Sequence, residues 1–180
     1  MYRIVSGITS LLQHIKTLSQ QPEVYRPSFC PHCGLVGLWC HGFYTRKADR
    51  RPLPSKELIP PVAIPRFLCS GCERTCSRLP SCIAPRRWYG WLFQQQILQF
   101  MLMVGSLNQC GAEFNLYRGT VRRWWNWLKS SSPTFEFFLR SRFPEWGRVP
   151  DFKSFWSGAL GSMPLSEVMA SLDFEGVTVP

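Results

Sequence analysis

The sequence predicts an α+β chain in which a small metal-binding β module precedes a module of three helices. Residues 27–85 combine prolines, glycines and two Cys-x-x-Cys pairs with short runs of strand-forming residues. Residues 86–129 lack proline and regain the apolar spacing of helices. We therefore predict four segments, namely an N-terminal amphipathic helix within 1–25, a metal module at 26–85, a helical module at 86–132 and an aromatic, mildly acidic tail at 133–180.

The charge of the chain is positive and unevenly distributed. The formal net charge is +10, and residues 26–87 hold 11 Lys or Arg against three acids, whereas residues 131–180 carry a net charge of −2. Of the 21 basic residues 16 are arginine, whose planar guanidinium suits phosphates and guanine edges. This pattern favours a polyanionic partner, either nucleic acid or an anionic membrane, with a merely solvated basic surface as the alternative.

The N-terminal residues resemble neither a secretory signal nor a membrane anchor. Polar residues interrupt every apolar run in 1–21, and the most apolar segment, 91–105, falls short of the roughly 20 residues that a bilayer span needs. We expect a cytoplasmic, nucleoid-associated protein without membrane contact, in which cysteines bind metal rather than form disulfides. The spacing of apolar residues predicts one helix over 4–18, from Ile4, Ile8, Leu11, Leu12, Ile15 and Leu18.

Two Cys-x-x-Cys pairs predict a tetrahedral thiolate site for one structural zinc ion per chain, with Cys30, Cys33, Cys69 and Cys72 as ligands. Gly34 follows the first pair and Gly71 lies inside the second, where a tight turn favours positive φ. We expect two strands joined by a basic loop to fill the long separation between the pairs. A redox dithiol, or a second metal site built from Cys40 or His41 with Cys76 and Cys82, are the alternatives.

The motifs "CPHCG", "HGFYTRK" and "RFLCSGCERTCSRLPS" resemble the zinc ribbons at the N-termini of bacterial transposases and of small mobile-element proteins. The resemblance covers residues 29–85 and implies a zinc-ribbon β module. Cys76 stands where such ribbons usually have phenylalanine. We therefore expect Cys76 to be a small buried residue and not a ligand.

The stretch "SLNQCGAEFNLYRGTVRRWWNWLK", residues 106–129, resembles the helix-turn-helix of transposases, invertases and resolvases. Its residues support this independently, because Asn115 suits a left-handed turn between two amphipathic segments. A helix over about 89–104 would complete a three-helix module, whose packing face includes Cys110 and Gly111. Tyr117 replaces the serine that usually caps the second helix. An ordinary helical hairpin with solvent-facing arginines is the alternative.

The second helix of the helix-turn-helix would present polar and basic side chains to DNA, as a recognition helix does. We expect DNA contacts from this helix and from the basic part of the metal module. The candidates are Tyr117, Arg118, Arg122, Arg123, Asn126 and Lys129 on the helix, and Arg46, Lys47, Arg50, Arg51, Arg74 and Arg78 in the ribbon.

The predicted function is sequence-specific binding of double-stranded DNA, as an accessory or regulatory protein of mobile-element type or as a truncated transposase DNA-binding region. We expect no catalysis, because the resembling enzymes carry three metal-binding carboxylates in a large α/β domain and only about fifty residues follow Lys129. We assign no regular element to the tail, 133–180, which would dock a transposase or another mobile-element protein or complete the core. The alternative function is a zinc-ribbon module that binds protein or RNA.

Overall fold

The computed structural model describes residues 3–49, 51, 60–85 and 89–179. These residues form a mixed α+β structure with six α-helices and two small sheets, which confirms the predicted fold class at this level. The chain divides into two compact units, one formed by residues 1–90 with 176–180 and the other by residues 91–175. None of the helices in the described residues combines the length and apolarity that a bilayer crossing requires.

Among its described residues, the first unit contains two small sheets and one α-helix. A three-stranded antiparallel sheet has the order β2-β3-β4, and a parallel pair joins β1 to β5. The elements are β1 (Ile4–Val5), α1 (Leu11–Gln20), β2 (Trp39–Arg46), β3 (Val62–Leu68), β4 (Thr75–Cys76) and β5 (Leu79–Pro80).

Strands β2 and β3 are the two predicted strands between the cysteine pairs. They pair in antiparallel register from Trp39 opposite Leu68 to Arg46 opposite Val62, with an irregularity between Cys40 and Phe43. Strand β2 lies at the edge of its sheet. The expectation of two strands across this long separation is therefore confirmed.

The predicted helix over residues 4–18 is wrong in its first half. Ile4 and Val5 form strand β1, which pairs with Leu79 and Pro80, and the helix begins only at Leu11. The Ser10 hydroxyl accepts a hydrogen bond from the Gln13 backbone N–H at 3.1 Å, which fixes this start. Long-range strand pairing thus overrides the local periodicity.

Helix α1 buries a histidine instead of a purely apolar stripe. His14 is fully buried, while Leu12 is 78% exposed. His14 Nε2 lies 2.9 Å from the Ala63 carbonyl oxygen, and Nδ1 lies 2.6 Å from the Tyr25 hydroxyl. Because a carbonyl only accepts, Nε2 carries the proton and Nδ1 accepts from Tyr25. This neutral imidazole connects α1 to β3 and to the 3₁₀ turn Pro22–Tyr25.

We predict that His14 makes the stability of the first unit depend on pH. Burial lowers the pKa of His14 below its ordinary value of 6.5, against a smaller opposing effect of the Ala63 hydrogen bond. The unfolded chain therefore binds a proton at a higher pH than the folded chain. The stabilisation is complete above about pH 6.5 and is lost as pH falls toward the folded pKa, at up to about 1.4 kcal/mol per pH unit.

The measurement is chemical denaturation of wild type and His14→Gln between pH 5 and 8. Acid also protonates cysteines, but both proteins share that effect, so the difference between their slopes isolates His14. Parallel stability curves for the two proteins would contradict the prediction.

The second unit is entirely helical. Its helices are α2 (Trp91–Met103), α3 (Leu107–Glu113), α4 (Arg118–Arg142), α5 (Phe152–Ser162) and α6 (Leu165–Phe174). Helix α4 continues through Pro133, so the boundary predicted at 132 falls inside a helix. Proline removes one backbone donor from a helix interior, yet Phe135 and Leu139 beyond it are buried. Packing of this apolar face keeps the helix continuous.

The tail also contains two helices, so our assignment of no regular element to residues 133–180 is wrong. The Asp151 side chain caps α5, and Phe155, Trp156, Leu160 and Leu165 are buried. Residues of the tail therefore complete the core of this unit, as one of the two expected roles proposed.

Two glutamines of α2 tie this core together. The Nε2 groups of Gln95 and Gln99 donate to the Leu160 carbonyl at 2.9 and 3.0 Å, and Gln95 Oε1 accepts from the Leu165 N–H at 2.7 Å. These bonds satisfy backbone groups at the end of α5 and the start of α6. The polar residues that interrupt the apolar segment 91–105 thus have a structural role.

Candidate metal centre and nucleic-acid interface

The four predicted ligand cysteines meet in a possible metal-binding site. The Sγ atoms of Cys30, Cys33, Cys69 and Cys72 all lie within 4.8 Å of one another. Cys30 Sγ is 3.6 Å from Cys72 Sγ, and Cys33 Sγ is 3.5 Å from Cys69 Sγ. A tetrahedron with metal–sulfur bonds of about 2.3 Å has sulfur–sulfur edges of roughly 3.8 Å. Disulfide bonds are far shorter, at about 2.05 Å, so the arrangement fits a four-thiolate metal site.

Two turns with the same hydrogen-bond pattern present these sulfurs. In each turn the first cysteine donates its N–H to the carbonyl of the fifth residue after it, and its carbonyl accepts from the fourth. The bonds are Cys30 to Leu35 at 2.7 Å and Gly34 to Cys30 at 2.8 Å, then Cys69 to Arg74 at 3.0 Å and Glu73 to Cys69 at 2.9 Å. The turns are therefore equivalent despite their different sequences.

The fourth residue after each first cysteine has a left-handed backbone. Gly34 has φ +77°, as predicted, but its equivalent in the second turn is Glu73 with φ +56°. The prediction of positive φ for Gly71 is wrong. A Cβ at Gly71 would lie 2.9 Å from Leu35 Cδ2, the end of an exposed side chain that can move aside, and in ordinary contact, at 3.8 Å, with the Sγ atoms of Cys33 and Cys69.

The surroundings of Cys30 favour the thiolate that a metal needs. Burial raises its pKa, but hydrogen bonds from the His32 and Cys33 N–H groups, together with the neighbouring thiols, outweigh burial and lower the pKa to about 6. Cys76 behaves oppositely, because burial, followed by the nearby cysteine charges, raises its pKa to about 11.

The remaining cysteines lie outside this cluster. Cys76 is buried in the apolar core beside Val5 and Phe67, as expected of a residue that is not a ligand. Cys82 is half-buried against a second apolar cluster, and Cys40 is exposed. Across the described ranges 3–49, 51, 60–85 and 89–179, the four-cysteine group is the only set of ligand side chains close enough to share an ion.

The basic residues predicted to contact DNA from the first unit differ in environment. Lys47 and Arg74 are exposed, and Arg50 lies outside the described residues. Three others are half-buried and bonded within the unit. These bonds are Arg46 Nη2 to the Ala84 carbonyl at 2.6 Å, Arg51 Nη2 to Asp49 Oδ2 at 3.2 Å and Arg78 Nη2 to the Ile4 carbonyl at 3.4 Å.

In the second unit a tight turn leads from α3 into α4. Asn115 has φ +48°, which confirms the left-handed turn predicted at this asparagine. The Leu116 N–H donates to the Gly111 carbonyl at 2.9 Å, and a Cβ on Gly111 would lie 3.0 Å from the Leu116 carbonyl oxygen. Glycine therefore permits the close approach of the turn to α3.

Helix α4 separates a buried face from an exposed basic face. Val121, Trp124, Trp125 and Leu128 are buried. The predicted contact residues are exposed, and their spacing of four, four and three residues places the first four along one side of the helix. They are Arg118, Arg122, Asn126 and Lys129, with Arg123 adjacent and Tyr117 exposed at the N-cap.

Local contacts orient several of these side chains. Arg118 Nη1 donates to Asn108 Oδ1 of α3 at 3.3 Å, and Lys129 Nζ lies 5.1 Å from the centre of the Trp125 ring. The cation–π geometry holds Lys129 at the edge of the apolar face. The exposed face is therefore partly organised within its own unit.

We predict that the chain binds one metal ion and that Cys76 does not contribute to the site. Cys69→Ser replaces a ligand that lies 3.5 Å from Cys33 Sγ and should abolish stoichiometric metal binding. Cys76→Ser makes the same chemical change at a buried residue outside the cluster and should retain the metal. Native mass spectrometry of each purified protein measures the stoichiometry. Two ions per wild-type chain, or loss of metal from Cys76→Ser, would contradict this assignment.

Comparison with known protein families finds a family model that matches more than half of the chain. The family model described as "Domain of unknown function (DUF6431)" matches residues 30–124. This match runs from the first cysteine of the cluster into the exposed basic helix. No curated protein and no solved structure matches the chain.

Proposed function

The chain belongs to the DUF6431 family, and we propose that it is a sequence-specific binder of double-stranded DNA, of mobile-element type. In this proposal a zinc ribbon in the first unit and a helix-turn-helix formed by α3 and α4 both contribute to binding.

The observation that carries the proposal is the exposed basic face of α4. From Arg118 to Lys129 the helix advances eleven residues, or about 16 Å, which is enough to cross a major groove about 12 Å wide. Residues 106–129 contain one acid, Glu113, so little negative charge opposes DNA on these helices. The buried tryptophans on the other face hold the helix rigidly to its unit.

The side chains on this face suit base recognition. Arginine donates two hydrogen bonds to guanine, and asparagine exchanges two with adenine. We assign base contacts to Arg118, Arg122 and Asn126. Arg123, Lys129 and the Tyr117 hydroxyl would contact phosphates and set the register of the protein on the duplex.

The metal in this proposal is one structural zinc ion per chain. A set of four thiolates with tetrahedral spacing is the ligand set that zinc prefers in structural sites. The ion would cross-link two turns whose cysteines are far apart in sequence. It would thereby fix the backbone that carries Arg74 and Arg78. We assign phosphate contacts from the ribbon to six residues, namely Arg46, Lys47, Arg50, Arg51, Arg74 and Arg78.

We propose a binding role and not an enzymatic one, as a regulator or as a transposase-derived DNA-binding region in the nucleoid. Several tail carboxylates have structural partners, which supports the interpretation that they are not metal-binding catalytic residues. Glu136 pairs with Arg140 at 2.8 Å, Glu175 pairs with Arg142 at 3.4 Å, and Asp151 caps α5. Phe137 and Phe174 are exposed in the same unit and would serve contact with a transposase or another mobile-element protein.

We predict steep salt dependence of DNA affinity. Each neutralised phosphate releases counterions, so six contacts would lower affinity by about a thousandfold between roughly 50 and 200 mM salt. Fluorescence anisotropy with a labelled duplex measures the dependence. An affinity that does not change over this range would contradict phosphate binding.

We also predict that Arg122→Ala weakens preferred sites more than random duplexes, by about 1 to 3 kcal/mol on the preferred site, because a base contact is lost. Lys153→Ala is the matched control, since it removes one exposed positive charge from α5 of the same unit. Competition binding with both duplexes gives the ratio of affinities. Equal losses on the two duplexes would reduce Arg122 to a phosphate contact.

Selection of binding sites from random duplex DNA tests the function as a whole. We expect enrichment of one motif by the wild-type chain and loss of that enrichment in Arg122→Ala. Recovery of unenriched sequences by a metal-loaded, folded protein would count against sequence-specific binding.

A zinc-ribbon module that binds protein or RNA is the second candidate. Exposed aromatic residues on strand β2 favour it, because Trp39 is 67% and Phe43 is 56% exposed. Such side chains stack on unpaired bases or enter a partner's pocket. Competition separates the candidates, since a duplex-specific protein retains labelled duplex against an excess of single-stranded RNA and a ribbon adaptor shows no preference for the duplex.

A further inference from the structure

The first unit contains a basic cavity of about 280 Å³ beside the three-stranded sheet. The lining side chains that can donate hydrogen bonds to a ligand include Arg3, Tyr44, Arg46, Thr75 and Ser77. None of the lining residues is acidic. The floor includes Cys76, which is buried in the core next to the metal-binding turns. The polar residues that line the cavity are thus two arginines, a threonine, a serine, a tyrosine and His32.

Strand pairing fixes the walls of this cavity. The Leu79 N–H donates to the Arg3 carbonyl at 2.7 Å, which anchors the backbone of Arg3 where strand β1 begins. Tyr44 and Arg46 are two residues apart on β2, so their side chains project from the same side of the strand. Arg46 Nη2 donates to the Ala84 carbonyl at 2.6 Å, and this bond holds the guanidinium in place.

The opposite wall depends on the second metal-binding turn. Thr75 and Cys76 form β4, three and four residues after Cys72, and their partners on β3 are Leu68 and Phe67. Binding of an ion by the four sulfurs would therefore also fix the position of the Thr75 and Ser77 hydroxyls. The site would be organised before any ligand arrives.

We propose that this cavity binds a phosphate group. Arginine forks and hydroxyl groups donate hydrogen bonds to the acceptor-only oxygens of phosphate, and a cavity without acids does not repel them. The volume lies at the lower limit for ligand pockets, which suits one phosphate and not a large organic molecule. The phosphate belongs either to a nucleic-acid backbone or to a small phosphorylated molecule. That the phosphate belongs to a nucleic-acid backbone rests on the proposed function, whereas binding of a phosphate group in this cavity does not.

The first test is titration of the full, metal-loaded chain with inorganic phosphate, followed by amide NMR, with sodium chloride at matched ionic strength as the reference. We expect saturable shifts at Thr75, Ser77 and Arg46. Arg3→Gln should raise the dissociation constant about tenfold or more, because a charge-assisted hydrogen bond is lost. Ser77→Asp should abolish binding by charge repulsion.

Lys16→Gln is the matched control, since Lys16 is an exposed lysine on α1 outside the cavity. It should leave phosphate binding unchanged, and retained metal content shows that each variant is folded. Shifts that chloride reproduces, or that persist in both Arg3→Gln and Ser77→Asp, would overturn the proposal.

The second test identifies the source of the phosphate through the affinity of Arg3→Gln for duplex DNA. A backbone phosphate predicts an equal loss on preferred and random duplexes and a salt slope smaller by about one phosphate contact. Unchanged DNA affinity with lost phosphate binding assigns the cavity to a small phosphorylated molecule. Absence of phosphate binding in a chain that still selects DNA would refute the cavity alone, whereas binding of phosphate without DNA selection would refute the proposed function alone.

Discussion

The convergence of four cysteine sulfurs is the constraint on which the first unit depends. Its strands are short, and the apolar residues around Phe67 and Tyr25 pack directly against Cys30 and Cys69. Without an ion, four thiols would stand within 4.8 Å of one another, and ionisation of more than one would bring repulsion. A structural zinc ion contributes on the order of 10 kcal/mol or more to folding, which is comparable to the whole stability of a small domain.

The same convergence organises the surfaces for which we propose functions. Strand β4 directly follows the second cysteine turn, so the positions of Thr75 and Cys76 beside the cavity depend on Cys69 and Cys72. The second unit is held together in a different way, by its apolar core and by hydrogen bonds. Its apolar core is closed by the hydrogen bonds of Gln95 with the Leu160 carbonyl and the Leu165 N–H, and by the bond that Trp156 Nε1 donates to Ser132 Oγ at 2.6 Å.

The sequence predicted those features that depend on short motifs or on the conformational preference of single residues. The Cys-x-x-Cys pairs, the left-handed Asn115 and the two strands between the cysteine pairs are of this kind. Strand β1 was missed because it exists only through its pairing with Leu79 and Pro80, far along the chain. The left-handed Glu73 was missed because its turn overrides residue preference. The tail helices did carry a signal, since Asp151 caps α5 and apolar residues follow at helical spacing.

The most direct test of the central claim is hydrogen exchange of the full chain before and after removal of metal with a strong chelator. We predict that amides of β2, β3 and β4 lose protection while those of α2, α4 and α5 keep it, because a metal ion bound by the four sulfurs would cross-link the first unit and not the second. Unchanged protection of β2 and β3 after complete loss of metal would contradict the claim that the four-cysteine site holds this unit together.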